Sequence, residues 1–355
     1  MGVADLDSPK TRIRCAVAGW GRISANHLDA LKLHSDRAEL IAICDPDAAA
    51  RDNAVRQTGV AVHPDLTGLL AAHTPDLVCI LAPSGLHSRL AIEAARAGCH
   101  VLTEKPMATR WDEALAMVKA CDDAGVELFV VKQNRLNPTV QALKQAIDQG
   151  RFGRIHMITI NVFWQRPQSY YDAAPWRGTV RLDGGAFLNQ ASHYVDMLQW
   201  LGGPVAEVAC FTGTLARAIE MEDTGVLAFR MQSGAMGSIN VTMLTYPQNL
   251  EGSVTVIGEY GTVKLGGTAV NRIEHWAFDQ AVPGDEHIRE RNYQAISVYG
   301  SGHCPYYGNV FDTLGATDRP HTDGRSGLGS LALVLAAYES ARTRQFVRPG
   351  DWVLP

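Results

Sequence analysis

A chain of 355 residues is long for a single core and natural for two. Its 46% hydrophobic and 19% charged content fits an ordinary globular protein, and a net charge of −5 supplies no broad basic field, which argues against nucleic acid or an acidic membrane as partner. The seven cysteines show no ligand spacing, and several sit inside apolar runs, as suits a reducing compartment. No run approaches the length of a membrane span. Residues 1–14 form a polar segment without a signal-like apolar stretch, read as a short mobile arm; a cytoplasmic protein is expected.

Residues 13–18 read as an apolar strand running into Gly19-Trp20-Gly21-Arg22-Ile23-Ser24. In such a G-x-G-x-x-S turn Gly19 permits the tight bend and Gly21 lets backbone amides approach a pyrophosphate. Ser24 keeps the next helix close to its strand, and Arg22 and Ile23 complete the cradle. The spacing of Ile23, His27, Leu28 and Leu31 supplies that helix. A second strand, 40–44, ends at Asp45, 24 positions after Gly21. A carboxylate there would accept the ribose hydroxyls of an adenine dinucleotide and repel a 2′-phosphate, favouring NAD over NADP. It could equally cap the helix that starts at Asp45-Pro46-Asp47.

The alternation continues with a strand at 76–81 that ends in Ala82-Pro83-Ser84, and a helix at 84–97 closed by Gly98. A buried strand at 97–102 then runs into Thr103-Glu104-Lys105-Pro106, followed by a helix at 109–124 closed by Gly125 and a strand at 126–131. Repeated βα units with short turns predict a doubly wound parallel sheet covered on both faces. Ligands bind beyond the carboxyl ends of such strands, so Ala82, Pro83, Ser84, Glu104 and Lys105 are placed beside the nicotinamide half of the cofactor. Pro106 keeps Lys105 out of the helical region, and half-burial lowers its pKa. His87, in the first turn of its helix, could meet the cofactor or be no more than an exposed polar residue.

Residues 133–138 read as a polar hinge carrying Asn134 and Arg135 as expected substrate contacts, so the chain divides into a nucleotide domain, 1–132, and a substrate and oligomerisation domain, 133–355. A helix at 139–149 stops at Gly150. Loose alternation at 155–164 and β-branched runs at 205–214, 225–231, 237–244, 253–257 and 262–265 predict a mostly antiparallel sheet with one open face. Val241 and Met243 are expected to bury that face against a second copy, giving a homo-oligomer.

The chemistry of this half is expected in Asp183-Gly184-Gly185 and the helix predicted at 186–200, where Asn189 and His193 are i and i+4 on one face. Asp196, three residues further, could fix the imidazole tautomer or be a plain surface acid. Between 161 and 181 aromatics and arginines crowd together, among them Trp164, Arg166, Trp176 and Arg177. Flat rings suit a sugar or uracil face, and guanidinium groups grip carboxylate and diphosphate oxygens. The same tryptophans could simply plug the domain interface. No Cys/His set has zinc spacing, so no metal is expected.

The glycine turn, Asp45, Ala82-Pro83-Ser84-Gly85-Leu86-His87 and Glu104-Lys105-Pro106 together resemble the glucose–fructose oxidoreductase, inositol dehydrogenase and rhizopine-catabolism superfamily of NAD(P)-dependent sugar dehydrogenases. The resemblance implies a Rossmann domain followed by an open-faced sheet, with Lys105 beside the reacting hydroxyl and the Lys-Pro bond often cis. It also implies Asp-x-x-x-His at the substrate, where this chain has Asn189 and His193. Asn161-Val162-Phe163-Trp164, Pro175-Trp176-Arg177-Gly178, 188–193 and 240–247 look like the branch that oxidises UDP-2-acetamido-2-deoxyglucuronate at C3″ in surface-polysaccharide synthesis. Segment 303–309 resembles the family's pocket lining, which makes Tyr307 an expected substrate contact. The expected mechanism has His193 as general base and Lys105 stabilising the alkoxide.

Overall fold

The structure, a computed structural model, describes residues 12–295, 298 and 300–352; the expected arm, apart from 12–14, lies outside the described residues. The first half contains β1 (Ile13–Ala18), α1 (Ser24–Leu33), β2 (Ala38–Cys44), α2 (Ala48–Thr58), β3 (Ala61–His63), α3 (Leu66–Ala72), β4 (Leu77–Ile80), α4 (His87–Arg96), β5 (His100–Thr103), α5 (Trp111–Ala124) and β6 (Leu128–Val130). Its strands are parallel, in the order β3-β2-β1-β4-β5-β6. Leu77, Val78, Cys79 and Ile80 are all buried because helices cover both faces of the sheet. The order reverses between β1 and β4, opening a crevice at the strands' carboxyl ends where the glycine turn and the turn after β4 meet. Gly125 ends α5 in the left-handed conformation. The unit β3–α3, of three and seven residues, is too short to show a period and was not among the expected elements.

The second half runs α6 (Pro138–Asp148), β7 (Ile155–Phe163), α7 (Gln168–Asp172), α8 (Ser192–Gly202), β8 (Val205–Gly213), β9 (Thr224–Met231), β10 (Met236–Thr242), β11 (Glu251–Gly258), β12 (Gly261–Gly266), β13 (Arg272–Phe278), α9 (His303–Leu314) and α10 (Gly324–Thr343). The sheet order is β13-β12-β11-β7-β10-β9-β8, antiparallel throughout except for the β7–β10 pair. One face is covered by helices of the same chain, and there the expectation for Val241 and Met243 fails. Both are buried in the chain's own core with Ile158, Ile160 and Val162. The uncovered face is carried by the alternate residues of these strands, among them Met157, Phe211, Val226 and Ile257, all exposed.

Two late elements tie the halves together. Helix α9 returns to α1, and Tyr306, Tyr307, Val310 and Phe311 join the apolar cluster of Cys15, Val17, Leu31 and Val131. Just before α10, Thr322 pairs with the edge of the first sheet: Val130 N–H donates to its carbonyl at 3.1 Å and its Oγ1 donates to the Val130 carbonyl at 2.8 Å. No helix among the described residues is long and apolar enough to cross a membrane.

At the parallel β7–β10 pair Gly237 opposes Ile158, and a Cβ there would stand 1.7 Å from the Ile158 carbonyl oxygen and 2.7 Å from the Phe229 ring. Gly237→Ala is therefore expected to cost about 1–3 kcal/mol by overpacking, read from the midpoint of urea unfolding.

Candidate active site

At the glycine turn the chain passes so close to its neighbour that a side chain is excluded. Gly19 has φ +101°, and a Cβ there would meet Ala82 N at 2.8 Å, whereas a Cβ on Gly21 would meet nothing within 4 Å. Gly21 thus faces open space with Arg22 exposed and Ile23 half-buried beside it. Ser24 Oγ donates to the Gly21 carbonyl at 2.7 Å, closing the turn onto α1. Asp45, half-buried at the end of β2, accepts from Trp20 N–H at 2.7 Å and Asp47 N–H at 2.8 Å. The N-cap of α2 is Asp47, which accepts from Ala49 N–H at 3.1 Å. Asp45 is therefore not the cap, and its carboxylate braces the glycine turn.

The turns after β4 and β5 are stapled by one imidazole. His87 is fully buried, with Nε2 at 2.7 Å from the Ala82 carbonyl and Nδ1 at 2.8 Å from the Pro106 carbonyl. Burial lowers its pKa against the pull of those two carbonyls. It is a buried residue and not an exposed one, and both ring nitrogens face backbone carbonyls of its own domain. Pro83 stays extended and Ser84 is buried in a short turn. In that turn Gly85 packs on the Arg181 backbone, where a Cβ would lie 2.0 Å from the Arg181 carbonyl oxygen. The turns of the first domain are thus seated directly on the 178–183 segment of the second.

Behind the strand end, Glu104 is buried between domains. Its Oε2 accepts from Lys105 N–H at 3.0 Å, its Oε1 lies 3.1 Å from His27 Nε2, and His303 Nε2 stands 3.6 Å from the same oxygen. Burial alone would raise the Glu104 pKa, but the two histidines hold it well below the usual range. His27 Nδ1 meets the Tyr307 hydroxyl at 2.8 Å, and that hydroxyl oxygen lies 3.3 Å from Cys79 Sγ. Tyr307 is therefore a fully buried bridge inside the first domain's core and not a substrate contact. His27, Glu104 and His303 are also the described residues whose ligand atoms cluster within 4.8 Å, as a metal would require. A neutral His27 with its proton on Nε2 satisfies the Tyr307 and Glu104 contacts by hydrogen bonding alone.

Lys105 carries the centre of the site. The Lys105-Pro106 bond is cis, and Nζ donates to Asn189 at 2.9 Å to the backbone oxygen and 3.2 Å to Oδ1. Burial lowers the lysine pKa, against the raising charges of Glu104 and Asp183. Asn189 Nδ2 donates to Asp183, whose other oxygen accepts Gly178 N–H at 2.6 Å. Asp183, expected only as the start of the 183–193 segment, thus holds the asparagine amide.

The expected continuous helix over 186–200 is interrupted. Residues 186–190 form a π-turn closed by Ala191 N–H to the Ala186 carbonyl at 2.8 Å, and α8 begins afresh at Ser192. Asn189 and His193 are thus four apart without sharing one α-helical face, a local irregularity often found at functional sites. Glu222 anchors the start of the turn, accepting from Phe187 N–H at 2.8 Å and the Tyr338 hydroxyl at 2.9 Å. Burial pushes its carboxyl up to about 7.

His193 is only 5% exposed, with Nε2 3.1 Å from the Gln133 amide and Nδ1 without a hydrogen-bond partner among the described residues. Burial first, and then the Lys105 charge, drive its pKa well below the usual value, so the ring is neutral at neutral pH. Asp196 does not orient it. Arg135 grips that carboxylate through two bonds of 2.7 Å, Ser330 Oγ donates to it at 2.8 Å, and Lys132 Nζ stands 3.6 Å away. Burial alone would raise the Asp196 pKa, but Lys132 and Arg135 hold it at about 2. Arg135, expected at the substrate, is committed to this pair and lies over the Trp200 ring at 5.4 Å. Asn134 is 1% exposed, and both polar atoms of its amide are without a hydrogen-bond partner among the described residues.

Trp164 is buried with its N–H donated to the Thr268 carbonyl at 3.1 Å, so its ring is a platform and not an exposed plate. Arg166 lies over it at 5.2 Å and near Tyr170 at 5.5 Å, while Arg177 lies over Tyr170 at 4.3 Å and near the half-buried Trp176 at 5.6 Å. Arg166 Nε donates to Gln190 Oε1 at 2.9 Å, next to Asn189, and its charge reaches Lys105.

A doubly wound sheet with this glycine turn, an acid after β2 and a lysine at the end of β5 defines a dinucleotide-dependent dehydrogenase. Comparison with known proteins agrees. Residues 13–132 match the oxidoreductase family's NAD-binding Rossmann fold, and residues 140–264 match the GFO/IDH/MocA C-terminal domain. The chain belongs to the GFO/IDH/MocA family of oxidoreductases, and its first domain binds NAD. The WlbA dehydrogenase of Bordetella pertussis, solved with NADH and UDP-GlcNAcA, is 57% identical, with 98% of this chain and 99% of that one covered at a TM-score of 0.94. The WlbA dehydrogenase of Chromobacterium violaceum, solved with the same two ligands, is 54% identical, with 99% of each chain covered at a TM-score of 0.91. D-apiose dehydrogenase of Paraburkholderia graminis is 29% identical over 346 residues, 93% of this chain and 88% of its own.

Glu222 gives a pH signature. Its folded pKa of about 7 lies above the ordinary 4.5, so the stability it contributes is complete below pH 4.5 and is lost as pH rises through 7. Glu222→Gln is expected to match the parent at pH 4.5 and to exceed it at pH 8 by about 3 kcal/mol, measured by urea unfolding across that range.

Proposed function

We propose that this enzyme oxidises the C3″ hydroxyl of UDP-2-acetamido-2-deoxyglucuronate to the 3-keto sugar with NAD, in the cytoplasm, as a step towards a bacterial surface polysaccharide such as O-antigen. The observation that carries the reading is that a lysine ammonium from the nucleotide domain binds Asn189 while an arginine from an aromatic-stacked cluster in the second domain binds the adjoining Gln190. Two relatives above 50% identity bind NADH and UDP-GlcNAcA. Stacked guanidinium groups match the carboxylate and diphosphate of that ligand, and the rings beside them match its sugar and uracil.

The glycine turn holds the pyrophosphate at Gly19, Gly21, Arg22 and Ile23, Asp45 takes the adenosine ribose, and the backbone from Ala82 to Ser84 borders the nicotinamide. NAD, when bound, accepts the hydride. His193, neutral because it is buried beside Lys105, takes the hydroxyl proton on Nδ1 when the Gln133 amide turns its oxygen towards Nε2. Lys105, held as ammonium by the Asn189 oxygens, stabilises the negative charge growing on the alcohol oxygen. The exposed apolar residues of the open sheet face support a dimer or tetramer built through it.

NADH absorbance should appear with UDP-2-acetamido-2-deoxyglucuronate and not with inositol or free sugars; turnover of the free compounds at equal kcat/KM would overturn the assignment. Lys105→Met and His193→Asn are each expected to lower kcat by about 10²–10⁴-fold while NAD binding, followed by fluorescence, persists. Because the pKa of His193 is depressed, the acid limb of the parent's pH–rate profile should lie below pH 6.5.

A further inference from the structure

An ammonium group only donates hydrogen bonds, and an ionised carboxylate only accepts them. Asn189 stands between one of each. Its side-chain oxygen faces Lys105 Nζ at 3.2 Å, and its Nδ2 faces Asp183. The two ends of an amide have nearly the same shape, so packing cannot choose between them, whereas this pair of neighbours admits one orientation only. Asp183 is 2% exposed, and the backbone N–H of Gly178 fixes its second oxygen. The site thus possesses a carboxylate, set one side chain back from the lysine.

We propose that Asp183 is a positioning residue of this dehydrogenase, orienting the Asn189 amide so that its oxygen holds Lys105 over the reacting hydroxyl. The inference rests on the reading of Lys105 given above and extends it to a residue that does not touch the lysine. The amide and the acid form a matched pair. With aspartate at 189, two carboxylates would face each other and one would have to hold a proton. With asparagine at 183, nothing obliges Asn189 to turn its oxygen to the lysine.

The charges around Lys105 set the direction of the test. Glu104 and Asp183 favour the ammonium form; Arg166 disfavours it, as do the buried Lys132 and an ionised His87 or His193. Removing the Asp183 charge therefore lowers the pH at which Lys105 becomes a free amine. Moving a carboxylate to 189 raises it.

Reductive methylation of Lys105 across pH, quantified by mass spectrometry on the full-length protein, reads this without any turnover. Asp183→Asn should shift the midpoint down by roughly one unit, and Asn189→Asp should shift it up. Turnover of UDP-2-acetamido-2-deoxyglucuronate should fall about tenfold to a hundredfold in kcat in either single variant, with KM for NAD nearly unchanged. The exchange of both residues, Asp183→Asn with Asn189→Asp, restores a donor facing an acceptor and should recover most of that loss. An unmoved lysine midpoint in Asp183→Asn, or a double variant no better than the weaker single one, overturns the proposal. If Asp183→Asn fails to fold, the upward shift in Asn189→Asp decides alone, and a midpoint that stays or falls there overturns it. A protein that turns over no UDP-sugar but shows both lysine shifts refutes the substrate assignment and leaves the positioning role standing.

Discussion

A buried ammonium must be met by oxygen, and in this fold the oxygens that meet Lys105 belong to the other domain. Both come from Asn189, one from the backbone and one from the side chain. The lysine leaves the end of a strand whose every contact is fixed by the parallel sheet, while Asn189 rides on a π-turn anchored by a buried glutamate. The geometry of the site is therefore the geometry of the seam between domains, and buried contacts within the first domain hold its turns in place against that seam. His87 joins the two strand-end turns, Glu104 ties the Lys105 backbone to His27, and Gly85 lets the first domain's turn lie against Arg181.

Burial costs each of these charges its hydration, and the structure offsets that cost by pairing. Asp196 has two cations and a hydroxyl and so does not orient His193, which burial and the Lys105 charge keep neutral. Asp183 has an amide and a backbone N–H, which leaves its charge close to Lys105 without direct contact. A neutral imidazole and a charged lysine can then coexist in one pocket, as proton removal and alkoxide stabilisation require.

The first domain was legible because fully buried parallel strands are near-continuous apolar runs punctuated by glycines, as at 77–80 and 100–103. Lys105, Asn189 and His193 were also legible, since a base before proline and a polar pair after Gly184-Gly185 stand out against apolar surroundings. Arg135, Trp164 and Tyr307 were misplaced for a common reason. Each has a side chain equally suited to a ligand or to an internal partner, and the partners (Asp196, Thr268, His27 and Cys79) are distant in the chain. Val241 and Met243 alternate correctly, but alternation names two faces without saying which one the helices cover. Helices α9 and α10 went unread because each buries several sides at once and shows no single stripe.

The amino-acid order alone determined the parallel sheet, the glycine turn with its acid, and a lysine at a strand end before proline, because these depend on local periodicity and on residues near one another in the chain. Only the tertiary structure decided which carboxylate stands behind the asparagine, which arginines stack in the aromatic cluster, and that the helix breaks between Asn189 and His193. Those outcomes follow from competition among buried charges for the nearest partner, and the nearest partner in space is set by the packing of one domain on the other.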